Sequence, residues 1–325
     1  MTGRRGFLGT TAAGAITVAW PAVAQPSTFR IAWIAPGTQE EGQPLLDALS
    51  MGLRELGYVE GRNLVIDAYW GEHYNARVAT LAGAIVAARP QVIVTLGPTA
   101  LPVSRATSTI PIVFAFSGDP IQAGFVKSFA HPGGNLTGIS FLALELVGKR
   151  IELLKTMMPG LKRIAIVANA QHPGDQAERR ASEVVAKAMG LEIEYFEAAG
   201  VTQLSTALDA IPKTRCEAVV MFPIQSIISN SGRIAIWSLK HRIPAVSGWA
   251  QFAEEGNLMS YGARVRETFQ RLATYVDRIL KGAKPGELPV ELPLHIELVI
   301  NLKTATALDI VVPPAVILRA DKVIE

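Results

Sequence analysis

Small and polar residues follow a series of short β-branched runs, and these positions are the ones equipped to hold a ligand. Glycine lets backbone N–H groups approach a bound molecule closely, while hydroxyl, amide, carboxylate and aromatic side chains add specific contacts. The candidate ligand-binding residues are Thr38, Gly97, Thr99, Ala100, Ser117, Asp119, Asn169, Pro223, Ser226, Trp249 and Tyr261. Because ligands of open parallel sheets bind beyond the carboxyl ends of the strands, this pattern predicts a binding site for a small molecule.

A carboxylate is the ligand group that the hydroxyl residues suit. Thr99 stands at the start of a predicted helix, where its hydroxyl and the first helical N–H groups would hold an anion. The alternative for Thr99 is a plain helix N-cap, and Ser226 is open to the same two interpretations. Ser117, which ends another β-branched run, would add a further hydroxyl to the carboxylate site.

The other candidate side chains suit the remaining parts of an amino-acid-like solute. Asp119 lies in Gly118-Asp119-Pro120, where it would hold an ammonium or hydroxyl group, or else form an aspartate turn before proline. Trp249 and Tyr261 would cover an aromatic or apolar group, or else pack between lobes. The set therefore predicts a small aromatic or amino-acid-like carboxylate as the solute.

Sequence motifs of catalysis and of cofactor binding do not occur in the chain. There is no G-x-G-x-x-G, P-loop or G-x-S-x-G pattern, and the five histidines show no metal-ligand spacing. The single cysteine, Cys216, lies beside an apolar run and is expected to fill the core. We therefore predict no catalytic residue, no metal and no cofactor, and surface or hydrogen-bonded structural roles for the histidines.

The first 24 residues have the order of a secretory signal. The pair Arg4-Arg5 precedes an apolar stretch over 8–20 and an A-x-A cleavage site that ends at Ala24. This order predicts a twin-arginine signal peptide at 1–24, cleaved after Ala24, and a periplasmic protein. The alternative, an N-terminal anchor helix, is disfavoured because the stretch is short and rich in glycine and threonine.

The net positive charge of the chain becomes smaller when the predicted signal peptide is removed. The 325-residue chain has 31 Lys and Arg against 28 Asp and Glu, with a pI near 9.0. Removal of the two signal arginines leaves 29 basic and 28 acidic residues without a basic cluster. The exported chain would be nearly neutral, so we predict no binding to nucleic acid or to an anionic membrane.

The elements that position these residues alternate between strand and helix. The predicted strands are Phe29–Ala35, Leu64–Tyr69, Val92–Leu96, Ile112–Phe116, Arg163–Ala168, Leu191–Glu197, Ala218–Phe222, Ala245–Gly248, Leu258–Tyr261 and Leu294–Ile300. The predicted helices that follow the first one, over 45–56, are Ala76–Ala88, Ala100–Thr107, Leu144–Met158, Asp175–Met189, Thr202–Ile211, Ile227–His241, Val265–Lys281 and Leu302–Leu308. This alternation predicts an α/β fold with parallel sheets covered by helices on both faces.

Parts of the two halves of the chain also match each other, mostly at a constant distance, although the middle strand pair, which ends at Gly97 and Pro223, is offset by 126 residues. Three pairs recur at an offset of 133 residues: Arg30–Ala35 with Arg163–Ala168, Leu56-Gly57 with Met189-Gly190, and Ile110-Pro111 with Ile243-Pro244. Equal offsets in the same order predict two similar α/β lobes.

Several longer motifs resemble one protein family. They are Leu56–Leu64 (LGYVEGRNL), Ser108–Phe114 (STIPIVF), Gly118–Pro120 (GDP), His131–Gly138 (HPGGNLTG), Gly148–Lys155 (GKRIELLK) and Ile317–Asp321 (ILRAD). In these motifs the sequence resembles the ABC-transporter substrate-binding proteins of the tryptophan/tyrosine-binding type. The resemblance implies a type I periplasmic-binding-protein fold, with two Rossmann-like lobes joined by three crossovers. We expect an N-terminal lobe of 25–142 plus 259–285 and a C-terminal lobe of 143–258 plus 286–325.

The expected function is that of a solute receptor. A monomer would close on a small-molecule solute and deliver it to an ABC permease in the inner membrane. Two alternatives stay open at the level of sequence: an exported enzyme with its active site in the interlobe cleft, and a sensory ligand-binding module.

Overall fold

A computed structural model describes residues 28–141, 143–172 and 174–325, so the predicted signal peptide lies outside the described residues. Its strands are β1 (Phe29–Ala35), β2 (Leu64–Trp70), β3 (Val92–Leu96), β4 (Ile112–Phe116), β5 (Leu136–Ser140), β6 (Arg163–Ala168), β7 (Glu192–Glu197), β8 (Ala218–Met221), β9 (Ala245–Ser247), β10 (Met259–Ala263), β11 (Ile296–Asn301) and β12 (Lys322–Ile324). Its helices are α1 (Gln39–Glu55), α2 (Asn75–Ala88), α3 (Ala100–Ala106), α4 (Ala143–Met157), α5 (Asp175–Ala188), α6 (Val201–Ala210), α7 (Gln225–Ile228), α8 (Ser231–His241), α9 (Ala250–Glu254), α10 (Val265–Leu280), α11 (Leu302–Ala307) and α12 (Pro314–Ile317). Short 3₁₀ turns lie at Gly97–Thr99, Ile211–Lys213 and Pro285–Glu287.

The strands form two sheets, one in each lobe, and the predicted α/β class is confirmed. The first sheet has the order β2-β1-β3-β4-β5, and the second has the order β12-β11-β10-β9-β8-β6-β7. Read from β7, the second sheet repeats the order of the first and adds two strands at its far edge. The repeat at an offset of 133 residues therefore corresponds to a repeated topology, with β1 equivalent to β6.

Three features of the sheets differ from the sequence-based prediction, and one of them is that the short edge strand β12 was not predicted. All strand pairs are parallel except β10 with β11, which run antiparallel. The strand β5 was not predicted, because Gly138 interrupts its β-branched pattern. A Cβ at Gly138 would lie 2.0 Å from the carbonyl oxygen of Phe114 on β4, so the glycine is what allows the two strands to pair closely.

One predicted helix is divided in two. The sequence favours a single helix over 227–241, but α7 ends at Ile228 and α8 begins at Ser231. The Asn230 side-chain amide donates to the carbonyl of Ser226, and the Ser231 hydroxyl donates to that of Ile228. These polar side chains satisfy carbonyls that a continuous helix would satisfy with backbone N–H groups, so the break is stable.

The chain crosses between the lobes three times, at positions that differ in part from the expected boundaries. β10 was expected in the first lobe, but it pairs with β9 and β11 in the second sheet. α10 then returns to pack on α1. The N–H of Glu291 donates to the carbonyl of Gly138 at 3.0 Å, so the first-lobe segment extends past the expected limit of 285. Lobe membership is set by hydrogen-bond ladders between distant strands, which local composition does not reveal.

Each lobe is built around apolar side chains on both faces of its sheet. In the first lobe α1 and α10 pack closely at Gly52, where a Cβ would lie 2.5 Å from the carbonyl oxygen of Gln270. In the second lobe Cys216 is buried among aliphatic residues, as its surroundings predict. Within the described part of the chain, no helix has the length and apolarity that a membrane crossing requires.

Candidate ligand-binding cavity between the lobes

A cavity of about 370 Å³ lies between the two lobes, at the carboxyl ends of strands from both sheets. This volume is within the range of small-molecule sites. The candidate residues that line it are Gly97, Thr99, Ser117, Asn169, Pro223, Ser226 and Trp249. They follow β3, β4, β6, β8 and β9, so the strand-end rule brings together side chains that are up to 152 positions apart in the sequence.

Thr38 and Ala100 are not on the wall of this cavity. Thr38 caps α1, where its hydroxyl accepts the N–H of Glu41 and the Glu41 carboxylate accepts the N–H of Thr38 in return. Thr38 lines a neighbouring interlobe groove instead. Ala100 is fully buried at the start of α3 and packs in the first-lobe core.

Asp119 and Tyr261 also lie off the wall. The Asp119 carboxylate accepts the N–H groups of Ile121 and Gln122 at 2.8 and 3.3 Å, which is the aspartate turn that was the alternative for this residue. Tyr261 packs against the second-lobe core from the middle of β10. Its carbonyl accepts a hydrogen bond from Arg150 at 2.8 Å.

Thr99 contributes to the cavity mainly through its backbone. Its hydroxyl lies 2.9 Å from the carbonyl oxygen of Leu96 and 3.2 Å from that of Ile34, and it makes no N-cap hydrogen bond. The side chain therefore ties the end of β3 to the end of β1. Ser226 lies inside α7, whose N-cap residue is Ile224, so it is not a helix cap; it lines the wall, and its hydroxyl makes no hydrogen bond to another described residue.

Ser117 and His172 join the two lobes across the cavity. The Gly174 N–H donates to His172 Nδ1 at 3.1 Å, so the ring proton is assigned to Nε2, which lies 2.9 Å from Ser117 Oγ. Burial lowers the pKa of His172 to about 4, which keeps the ring neutral at pH 7. The Ser117 hydroxyl accepts from His172 and keeps its own proton available to a ligand.

Two further contacts close the lobes around the cavity. The Asn75 amide donates to Gln171 Oε1 at 2.8 Å, and the Gln225 amide donates to the carbonyl of Glu41 at 3.1 Å. Beside Ser117, the backbones of the lobes approach so closely that a Cβ at Gly174 would lie 2.6 Å from the Cα of Gly118. The described conformation is therefore one in which the lobes touch on several sides of the cavity.

Two basic side chains of the first lobe, His73 and Arg105, reach the wall. His73 lies 2.8 Å from the Glu41 carboxylate; hydrogen bonding to that carboxylate raises the pKa of His73. Arg105 is exposed on α3, and it makes no ion pair with any residue in 28–141, 143–172 or 174–325. It extends a lining stripe that includes Pro98, Leu101 and Pro102 at helical spacing.

Sequence reasoning missed several residues of the cavity wall, among them Arg105 and His172. The three-to-four-residue spacing that ends at Arg105 was the available signal for the arginine. No local signal identifies His172, because its partner Ser117 lies 55 residues away in the other lobe. Among the described residues, no group of three or more His, Cys, Asp or Glu side chains is arranged to hold a metal ion.

Comparison with known proteins places this arrangement in a family. A family model described as "ABC transporter substrate binding protein" matches residues 43–324, which is most of the chain. This chain belongs to the ABC transporter substrate-binding protein family. The assignment confirms the resemblance that the sequence motifs indicated.

Individual relatives of this substrate-binding protein agree with the family assignment. A tyrosine-binding protein of Clostridioides difficile (strain R20291) is 27% identical over 282 residues, which cover 82% of this chain and 78% of the relative. A conserved domain protein of Vibrio cholerae has a TM-score of 0.85 and 28% identity, covering 91% of this chain and all of that structure. The structure of an ABC domain from Streptococcus pneumonia in complex with L-Trp has a TM-score of 0.83 and 25% identity, covering 92% and 100%.

Proposed function

We propose that this protein is the solute receptor of an ABC importer and that it captures a small organic carboxylate by closing its two lobes. The observation that carries the proposal is the cavity itself, which both lobes line and which cross-lobe hydrogen bonds surround. A solute held by both lobes favours the closed state by its differential affinity for that state. Relatives of the same family named as tyrosine-binding, or solved in complex with L-Trp, support an aromatic solute.

Each part of the wall has a role in this proposal. The Ser117 hydroxyl, with backbone N–H groups near Gly97 and Thr99, would hold the carboxylate. Trp249, which packs 6.2 Å from Phe141 at the lobe junction, would cover the apolar part of the solute. The remaining candidates Asn169, Pro223 and Ser226 would complete the second-lobe wall.

The proposal extends to cellular context. We propose export through the twin-arginine signal at 1–24, action in the periplasm as a monomer, and delivery of the solute to an inner-membrane ABC permease. The protein would bind its solute without chemical change. No cofactor takes part in this proposal.

The closure model is tested by adding one methyl group where the lobes meet. In Gly174→Ala the new Cβ meets the Cα of Gly118 in the closed state and is free of that contact when the lobes separate. We expect solute affinity to fall at least about tenfold, while the melting temperature without solute changes little. The matched control is Gly160→Ala, since a Cβ at Gly160 meets nothing within 4 Å.

The solute for this test comes from a melting-temperature screen of aromatic amino acids and carboxylic acids. A ligand at about 100 times its Kd adds about 2.7 kcal/mol to the free energy of unfolding, which raises the melting temperature measurably. Lack of a shift across the panel would contradict the proposed function. Equal affinity of Gly174→Ala and the wild-type protein would contradict closure at this contact.

A further inference from the structure

We propose that the preferred solute is an organic monoanion with an aromatic body and no ammonium group, and that Arg105 is its charged partner. This inference rests on the proposed function and narrows the solute class. It departs from the zwitterionic amino acids named for the relatives.

The first argument is the charge balance of the wall. Among the described residues that line the cavity, the basic side chains are Arg105, His73 and His172, and His73 Nε2 lies 2.8 Å from the Glu41 carboxylate. His172 is neutral, since its Nδ1 accepts the Gly174 N–H and its ring is buried. Arg105 is thus the basic side chain of the described wall that has neither a carboxylate partner nor a buried, neutral ring, so one carboxylate of a ligand can pair with it.

The second argument is the supply of hydrogen-bond donors. Asn169 Oδ1 accepts the Gln171 N–H at 2.9 Å, and Gln171 Oε1 accepts from the Asn75 amide at 2.8 Å. The side-chain NH₂ groups of Asn169 and Gln171 therefore stay available to a ligand, as does the Ser117 hydroxyl proton. A wall that offers amide, hydroxyl and guanidinium donors suits a ligand that accepts hydrogen bonds.

The third argument concerns carboxylates. None of the described residues that line the cavity is an Asp or a Glu, and both the candidate Asp119 and the His73 partner Glu41 lie off its wall. Asp119 accepts two backbone N–H groups in its own turn, and Glu41 accepts the Thr38 N–H and His73. An ammonium group enclosed by the closed lobes would have to displace one of these partners or use neutral acceptors such as Gln225 Oε1, which has no hydrogen-bond partner among the described residues. Because a neutral acceptor does not balance a buried positive charge, the ammonium group of an amino acid costs affinity here.

The apolar part of the wall defines the rest of the solute. Val78, Leu101 and Pro102 line the first-lobe side, and Phe141 and Trp249 lie at the lobe junction. These side chains fit an aromatic ring beside a carboxylate, as in an arylalkanoic acid.

Matched sets of probes test the inference by isothermal calorimetry. The first set is 3-(4-hydroxyphenyl)propionate, L-tyrosine and tyramine, and the second is indole-3-propionate, L-tryptophan and tryptamine. We expect at least one acid to bind about tenfold or more tightly than its amino acid, and the amines to bind most weakly. Tighter binding of the amino acids would overturn this inference and leave the proposed receptor function standing, whereas no binding by any of the six probes would overturn both.

Charge-removal variants test the role of Arg105. In Arg105→Gln we expect the Kd of the bound acid to rise about tenfold, because a charge-assisted hydrogen bond is lost. The control Arg62→Gln removes the same charge from an exposed turn before β2. This turn lies at the amino end of the strand, whereas the cavity lies at the carboxyl ends. An equal effect of the two substitutions would overturn the assignment of Arg105.

Discussion

The two lobes repeat one strand order, yet they bury different chemistry. In the first lobe α1 and α10 meet through apolar side chains and Gly52, and Tyr58 donates to Asp277 at 3.0 Å beside them. In the second lobe α4 buries Arg150, which is 1% exposed and faces Glu178 on α5. A shared topology therefore does not imply a shared way of stabilising the interior. Close packing dominates in the first lobe, and charge balance contributes in the second.

Removal of the buried arginine should have the largest effect on this comparison. Above pH 8, where Glu178 is ionised, Arg150→Met leaves this carboxylate without its counter-charge and the Tyr261 carbonyl without a hydrogen-bond donor, so we expect a loss of about 3–5 kcal/mol in the free energy of unfolding. Urea unfolding at pH 9 measures this loss. The double variant Arg150→Met with Glu178→Met should recover much of the loss, because no buried charge is then left unpaired. Equal losses in the single and double variants would contradict the charge-balance account.

A substitution at the helix contact probes the first lobe. Gly52→Ala places a Cβ within 2.5 Å of the Gln270 carbonyl oxygen and 2.9 Å of the Ala273 Cβ. Separation of α1 from α10 should cost about 1–3 kcal/mol in the free energy of unfolding. Gly83→Ala in α2 is the control, since its Cβ meets nothing within 4 Å and alanine favours the helix. If Gly52→Ala lowers the free energy of unfolding no more than the control does, the helices can separate at little cost and the account of close packing is wrong.

The smallest expected effect is a pH dependence of stability. Its sign should differ between His172 in the cleft and Glu178 in the interior of the second lobe. Burial lowers the pKa of His172 to about 4, so its contribution to stability is present above pH 6.5 and is lost as the pH falls toward 4. Burial raises the pKa of Glu178 to about 8, so its contribution is present below pH 4.5 and is lost as the pH rises toward 8.

Urea unfolding at pH 5.5 and pH 7 measures the two contributions separately. In the wild-type protein, His172 should increase the free energy of unfolding by about 1 kcal/mol between pH 5.5 and pH 7, and His172→Gln should abolish this increase. Glu178 should decrease the free energy of unfolding over the same pH range, and Glu178→Gln should abolish this decrease. Gln at position 172 keeps a hydrogen-bond donor and acceptor but does not titrate. Shifts of the same sign in both variants would contradict the assignments.

Local pattern predicted the central strands well, because strands such as β1, β3 and β6 are continuous apolar runs buried on both faces. Local pattern failed where the identity of a residue depends on a neighbour that is distant in the sequence. Gly138 weakens the strand pattern of β5, but a larger residue there would clash with the backbone of Phe114 on β4. The lobe of β10 depends on its pairing with β9 and β11, which no local feature encodes.

For the candidate site, the sequence likewise predicted some of the residues that line the cavity but also selected some that do not. Strand-end position places Ser117 and Trp249 on the cavity wall, since parallel strands direct their carboxyl ends to one edge. The same rule also selected Asp119, whose carboxylate is taken up by its own turn. Strand-end position does not distinguish a side chain that turns toward the cleft from one that bonds to its own backbone.

By itself, the sequence determined the α/β alternation, the two-lobe repeat and the family, because these follow from periodicity and from motifs that are local in the chain. Only the tertiary structure decided which polar groups meet across the cleft. Ser117 and His172 are joined by a hydrogen bond of 2.9 Å over 55 residues, and Arg105 reaches the cavity from the last turn of α3. The physical reason is that a group's hydrogen-bond capacity toward a ligand is what remains after its folded neighbours are satisfied, and those neighbours come from distant parts of the chain.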